Sequence, residues 1–259
     1  MIDTPPRRLA DIGVVVTRPA RQAATFAQKL AVLGAVPILV PSIVIVAPAD
    51  RSAIEEAHAH LDDYDIAVFV SANAVEHGMP SHDRWPARLV TLAPGPGTAE
   101  ALTHRGLHNA RVPSTTFDSE GLLALPELQH VEGKRVLVFC GEAGRNVLAT
   151  SLRDRKARVD VVVCYRRTAP TTGAAGLTEA ITQRRAHAIT LTSVEGTENL
   201  WTMLDDAGRN AVMMLQAFAP HPRIAAHARS LGFNAIETPG GDAGLIAGLL
   251  EWARSRASN

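Results

Sequence analysis

The sequence contains few cysteines and has no excess of charge of either sign. Its two cysteines, Cys140 and Cys164, lie inside apolar runs, and neither has a CxxC partner. We expect both to be buried, reduced thiols, with a disulfide or a catalytic thiol as the alternative. The 26 basic and 26 acidic residues cancel, so no overall field favours nucleic acid or a membrane as partner. An anionic ligand would need local donors.

Several motifs are also absent. No run approaches the roughly 18 apolar residues of a transmembrane helix, and the N-terminal MIDTPPRRLADIG has no apolar signal region. We therefore expect a cytoplasmic protein. The chain has no GxxxxGK[ST] loop, no GxSxG elbow and no HEXXH motif, and Glu100 replaces the third glycine of a GxGxxG pattern that begins at Gly95. These absences argue against a nucleotide-dependent enzyme, a hydrolase triad and a metal site. His221, in a turn, is the one histidine that we single out.

Short apolar runs alternate with helical patterns along the whole chain, from Ile12–Thr17 to a final helix at Gly244–Arg256. This alternation predicts parallel sheets with helices on both faces. Nine or ten strands fit two doubly wound domains better than one sheet. Among the later elements we expect a helix at Glu195–Ala207, followed by a strand at Ala211–Phe218. Two β-branched runs, Pro41–Pro48 and Val159–Arg167, are interpreted as a two-stranded connection between the domains.

An internal repeat supports two domains of similar fold. Four elements recur at nearly constant spacing: Ala93–Pro96 and Ala219–Pro222 are 126 residues apart, Val70–Ser71 and Thr192–Ser193 are 122 apart, and Ser119–Leu123 and Asp242–Ile246, like Arg21 and Gly144, are 123 apart. The order of the elements predicts a discontinuous first lobe. We assign residues 8–40 plus 173–259 to lobe 1, residues 41–49 and 164–172 to the linker strands, and residues 50–163 to lobe 2.

The turns that follow the predicted strands are rich in Ser, Thr, Gly and Arg. In doubly wound sheets ligands bind at the carboxyl ends of strands, where helix N-termini offer free N–H groups. Hydroxyls, backbone amides and guanidinium groups bind carboxylates and phosphates. For each Ser, Thr and Asn taken alone, simple helix capping is the alternative. The candidate substrate-binding residues are Thr17, Arg18, Ser71, Ala72, Asn73, Gly97, Thr98, Gly141, Arg145, Thr192 and Ser193.

Tyr165, one of two tyrosines, ends the second connecting run. A buried aromatic ring with its hydroxyl on a backbone partner is one interpretation. The other is functional, because a phenol at the mouth of an inter-lobe cleft could donate a proton or a hydrogen bond to a leaving hydroxyl.

The ordered set of motifs resembles the uroporphyrinogen-III synthase family from about residue 12 to residue 252. The set consists of Thr17-Arg18-Pro19, Pro41-Ser42-Ile43, Asp65 through Ser71–Val75, Gly97-Thr98-Ala99, Ser119–Leu123, Gly144-Arg145, Cys164–Arg167, Thr192-Ser193 and Gly241–Leu245. No single motif is specific, but their order and spacing together are. The chain departs from the family pattern at Val70 and at the turns Pro94–Pro96 and Pro220–Ile224.

The resemblance implies two α/β lobes joined by a two-stranded β-ladder. It implies a cofactor-independent and metal-free lyase of haem biosynthesis that acts on hydroxymethylbilane, an open-chain tetrapyrrole bearing eight carboxylates. The terminal hydroxyl leaves, ring D attacks through its substituted carbon, and a spiro intermediate lets ring D invert before closure. Tyr165 matches the family's tyrosine proposed to assist hydroxyl departure, and the other candidates match positions around the cleft. We expect a monomer that receives its substrate from the enzyme that makes it. The rival hypothesis is a non-catalytic two-lobed protein that binds an anionic small molecule.

Overall fold

The computed structural model describes residues 9–142, 147–171 and 174–257. These residues form two compact units, each with its own sheet. Unit 1 comprises the described residues up to Val44 and from Thr168 onward, and unit 2 comprises Ile45–Arg167. Unit 1 is therefore built from two separate stretches of chain.

Unit 1 contains a five-stranded sheet with strand order β10-β9-β8-β1-β2, in which every neighbouring pair is parallel. Its strands are β1 Gly13–Val16, β2 Val36–Leu39, β8 Ala188–Thr190, β9 Gln216–Ala219 and β10 Asn234–Glu237. Its helices are α1 Ala20–Val32, α8 Ala175–Thr182, α9 Val194–Met203, α10 Asp206–Val212, α11 Pro222–Ser230 and α12 Gly241–Ala257.

Unit 2 also contains a five-stranded sheet, with strand order β3-β7-β6-β4-β5. Its strands are β3 Val44–Val46, β4 Ile66–Phe69, β5 Val90–Leu92, β6 Arg135–Gly141 and β7 Arg158–Thr168. Its helices are α2 Ser52–Ala59, α3 Ala72–Gly78, α4 Pro96–His104, α5 Ser119–Ala124, α6 Pro126–Gln129 and α7 Val147–Asp154. The two runs interpreted as connecting strands correspond to β3 and β7, which are neighbours in this sheet.

The central strands of each sheet are buried on both faces, which explains why they are continuous apolar runs. In β1, Val15 packs into one core cluster, whereas Val14 and Val16 pack into the cluster on the other face. In β4, Phe69 and Val68 divide in the same way. Alternate side chains of a strand point to opposite faces, so a strand covered by helices on both sides needs apolar residues at every position. The predicted α/β fold with parallel sheets is confirmed.

The order of the strands agrees with the internal repeat. Adding 122 residues converts β1 and β2 into β6 and β7, whereas subtracting 122 to 126 residues converts β8 and β9 into β4 and β5. The order β9-β8-β1-β2 then becomes β5-β4-β6-β7, as observed. The counterpart of β10 is reduced to one parallel bridge between Leu92 and Arg111.

One region differs from the predicted element pattern. The segment expected to form a single helix at Glu195–Ala207 contains all of α9 except its first residue and then the start of α10. The following strand, expected at Ala211–Phe218, begins only at Gln216. Asp205 starts the new helix because its carboxylate accepts a hydrogen bond from the Gly208 amide at 2.7 Å. None of the helices in the described ranges combines the length and apolar character that crossing a membrane requires.

Candidate functional site

In unit 2 the candidate residues gather at one edge of the sheet. Ser71, Ala72 and Asn73 follow β4, Gly97 and Thr98 begin α4 after β5, Gly141 ends β6, and Tyr165 lies in β7. Because β4, β5, β6 and β7 run parallel, their carboxyl ends share this edge, as in other doubly wound sheets with ligands. Arg145 lies outside the described residues.

The phenol of Tyr165 meets the start of α3. Tyr165 is 6% exposed, and its hydroxyl lies 3.1 Å from the hydroxyl of Ser71. Ser71 also caps the helix, since its Oγ accepts a hydrogen bond from the Ala74 amide at 3.2 Å. Helix capping, the simpler interpretation, is therefore correct for Ser71. The same Oγ atom also forms the hydrogen bond with the Tyr165 hydroxyl.

Gly141 makes room for that phenol. A Cβ atom at position 141 would lie 2.6 Å from Cζ of Tyr165 and 2.9 Å from its Oη, closer than any ordinary carbon contact. Gly141 is not among the glycines with positive φ, so its role is steric rather than conformational. The sequence identified Gly141 only as a residue of a polar turn. In the structure its missing side chain leaves the space that the Tyr165 ring occupies.

In unit 1 the candidate hydroxyls lie at the carboxyl ends of the neighbouring strands β1 and β8. Thr17 is 3% exposed, and its hydroxyl donates to the Thr190 carbonyl at 2.8 Å. Ser193 caps α9 by accepting a hydrogen bond from the Gly196 amide at 3.0 Å. Thr192, which directly precedes Ser193, is half-buried. These residues form a second set of polar turns at the carboxyl edge of a parallel sheet.

Arg18 is already paired within unit 1. Its Nη1 donates to Oδ1 of Asp242 at 2.6 Å, and Nζ of Lys29 donates to Oδ2 of the same carboxylate at 2.7 Å. Burial opposes the ionisation of Asp242, but the hydrogen bonds from Lys29 and Arg18 outweigh it and hold the pKa of this carboxyl below its usual range. The guanidinium also stacks on the ring of Phe26, 4.5 Å from its centroid. Arg18 is thus held in one orientation before any ligand binds.

Two polar residues of unit 1 were missed by the sequence analysis. Ser42 is fully buried, and both its amide and its hydroxyl donate to the Thr17 carbonyl, at 2.9 and 3.0 Å. Asn199 of α9 donates from Nδ2 to the Ser42 carbonyl at 2.9 Å. Ser42 belongs to a motif that we recognised, but nothing in the motif indicates this contact.

The cysteines are inert in the described structure. Both are buried and free, and Sγ of Cys164 donates to the Cys140 carbonyl at 3.2 Å. Burial raises the pKa of Cys140 and raises the pKa of Cys164 to about 12. Since the thiolate is the nucleophile, neither side chain is suited to catalysis at neutral pH, and the prediction of two buried reduced thiols is confirmed.

Within the part of the chain that the structure describes, no three His, Cys, Asp or Glu residues are grouped as metal ligands. His221 has a structural role: its Nδ1 accepts a hydrogen bond from the Arg223 amide at the start of α11. The donors described above are therefore mainly hydroxyls and helix N-termini, a chemistry that suits carboxylates.

The fold and these turns define an α/β protein of the class that binds ligands at the carboxyl ends of parallel strands. Comparison with known proteins makes the class specific. The family model of uroporphyrinogen-III synthase HemD matches residues 24–241, and the chain belongs to the uroporphyrinogen-III synthase family.

Individual relatives agree with this assignment. The chain is 30% identical to uroporphyrinogen-III synthase of Salmonella typhimurium over 231 residues, which cover 87% of this chain and 94% of that protein. It is 35% identical to the Proteus mirabilis protein of the same name over 160 residues, or 60% of this chain and 80% of that one. Among solved structures, a mutant uroporphyrinogen III synthase from Thermus thermophilus shares the fold with a TM-score of 0.54 and 20% identity, covering 95% of this chain and 99% of that one.

Proposed function

We propose that this chain is a uroporphyrinogen-III synthase, a lyase that closes hydroxymethylbilane to uroporphyrinogen III with loss of water and inversion of ring D. Family membership across residues 24–241 supports the activity. The observation that carries the proposal is the buried phenol of Tyr165, hydrogen-bonded to Ser71 among the polar turns at the carboxyl edge of the unit 2 sheet.

The chemistry needs positioning more than strong acids or bases. Loss of the terminal hydroxyl as water leaves an electrophilic carbon, which the substituted carbon of ring D attacks to form a spiro intermediate. The original bond between that ring D carbon and the methylene bridge to ring C then breaks, which inverts ring D. The unsubstituted α-carbon of ring D bonds to the freed bridge carbon, and loss of a proton completes the ring. Tyr165 donates a hydrogen bond to the departing hydroxyl. Because spontaneous closure gives the uninverted isomer, the protein must hold one conformation of the open chain, which is catalysis by positioning.

In this proposal the substrate carboxylates are bound at the polar turns that follow the parallel strands. Hydroxyls, backbone amides and guanidinium groups are the groups that bind carboxylates well. The proposed binding residues are Thr17, Arg18, Ser71, Ala72, Asn73, Gly97, Thr98, Gly141, Arg145, Thr192 and Ser193. We also propose lobes at residues 8–40 plus 173–259 and at 50–163, with 41–49 and 164–172 as linker strands, in a monomeric, cofactor-independent, cytoplasmic enzyme.

A coupled assay tests the proposal. Hydroxymethylbilane is generated enzymatically, the product is oxidised, and the uroporphyrin isomers are separated by chromatography. Isomer III in excess of the protein-free control supports the proposal. If folded protein yields only isomer I, the activity is refuted and the rival hypothesis of a non-catalytic binding protein takes its place.

A further inference from the structure

We infer that Ser42 is a positioning residue for the Thr17-Arg18 turn and that Cys164 is its counterpart in unit 2. The inference extends the proposed function and rests on it. The two residues are 122 positions apart, the offset that converts β1 and β2 into β6 and β7. Sγ of Cys164 donates to the Cys140 carbonyl near the end of β6 at 3.2 Å. The Ser42 hydroxyl donates to the Thr17 carbonyl just after β1 at 3.0 Å, so both side chains make the same kind of bond between equivalent strands.

The start of the adjoining helix supports the equivalence. Ser71 and Ser193 are 122 residues apart and both cap their helices, through the amides of Ala74 and Gly196. In unit 2 Sγ of Cys164 lies 3.6 Å from the carbonyl oxygen of Ala74, which is 122 residues before Gly196. In unit 1 a Cβ atom built on Gly196 would lie 3.0 Å from Oγ of Ser42. Ser42 and Cys164 therefore pack against equivalent residues in the first turn of the capped helix.

Ser42 fixes the direction of a peptide group in the candidate binding turn. The Thr17 carbonyl accepts both the amide and the hydroxyl of Ser42, at 2.9 and 3.0 Å. A trans peptide is planar, so this anchoring directs the Arg18 N–H to the opposite side of the chain. Because Ser42 is fully buried, it acts through Thr17 and Arg18 rather than by touching the substrate.

The test compares Ser42→Ala with Asn199→Ala, which removes the donor to the Ser42 carbonyl from a half-buried helix position. The matched control is Thr238→Val, which removes a buried hydroxyl at the end of β10 in the same unit. We measure kcat, KM and the ratio of isomer III to isomer I, together with amide hydrogen exchange at Arg18. Both test variants should raise KM about fivefold, as expected for one lost hydrogen bond, lower the isomer ratio and accelerate exchange at Arg18, whereas the control should change none of these.

Wild-type KM, isomer ratio and Arg18 exchange in folded Ser42→Ala would overturn the inference. If Ser42→Ala does not fold, the same three measurements on Asn199→Ala decide. If the wild-type protein makes no isomer III, the proposed function fails separately. Hydrogen exchange at Arg18 then still distinguishes a positioning role for Ser42 from none.

Discussion

Replacement of Gly141 by alanine should displace the Tyr165 phenol without straining the backbone. The added Cβ would lie 2.6 and 2.7 Å from Cζ and Cε2 of Tyr165, whereas carbon atoms pack at about 3.5–4.0 Å. The ring must therefore move by about 1 Å. Such a shift takes the phenol, now 3.1 Å from the Ser71 hydroxyl, out of hydrogen-bonding range.

The expected cost is large for turnover and moderate for stability. A misplacement of about 1 Å can reduce the rate by about 100-fold, and overpacking of this kind lowers the free energy of unfolding by about 1–3 kcal/mol. Turnover is followed with the isomer assay and stability by urea denaturation. In a Tyr165→Ser background the stability cost of Gly141→Ala should disappear, because the clashing ring is gone.

Gly176→Ala is the control, since a Cβ at that position in α8 has no neighbour within 4 Å. It should keep wild-type turnover and raise stability by up to about 1 kcal/mol. A folded Gly141→Ala variant with wild-type turnover would refute the reasoning, because catalysis would then tolerate a displaced phenol.

The remaining predictions concern the phenol, pH and a helix cap. Tyr165→Phe should lower turnover at a stability cost of about 1 kcal/mol; an unchanged rate would leave Tyr165 a purely structural role. Nδ1 of His187 accepts the Gly13 amide at 3.0 Å, and burial, with the charge of Arg256, lowers the pKa of His187. The unfolded chain therefore binds more protons, so stability should decline as pH falls below about 6.5; His187→Gln should show a shallower decline in urea titrations, and an identical decline would contradict the assignment. Asp205→Ala should lower thermal stability by about 1 kcal/mol while leaving the isomer ratio unchanged, and no loss of stability would show that α10 needs no cap.

The sheets were largely predictable from the sequence, because their central strands are buried on both faces. A strand such as β1 needs apolar residues at every position, and this produces a run that stands out without any other information. The repeat spacing also anticipates the strand order, since equivalent elements occupy equivalent places. The boundary between α9 and α10 was not predictable from periodicity, because one capping carboxylate, Asp205, restarts a helix inside an otherwise continuous pattern.

The candidate site was predictable only as a set of turns. The carboxyl ends of parallel strands share an edge, so the turns near Ser71 and Tyr165 could be grouped in advance. The role of Ser42 could not, because its bond to the Thr17 carbonyl depends on the register of β2 against β1. Similarly, the steric role of Gly141 depends on the position of a ring that lies 24 residues away in the sequence.

The central claim is that this protein holds the open tetrapyrrole in the conformation that inverts ring D. The most direct measurement is the fraction of isomer III as increasing amounts of protein compete with spontaneous closure at a fixed supply of hydroxymethylbilane. The account predicts that the fraction rises with protein concentration until isomer III is nearly the sole product. An isomer ratio that stays at the protein-free value across the titration, with folded protein, would contradict it.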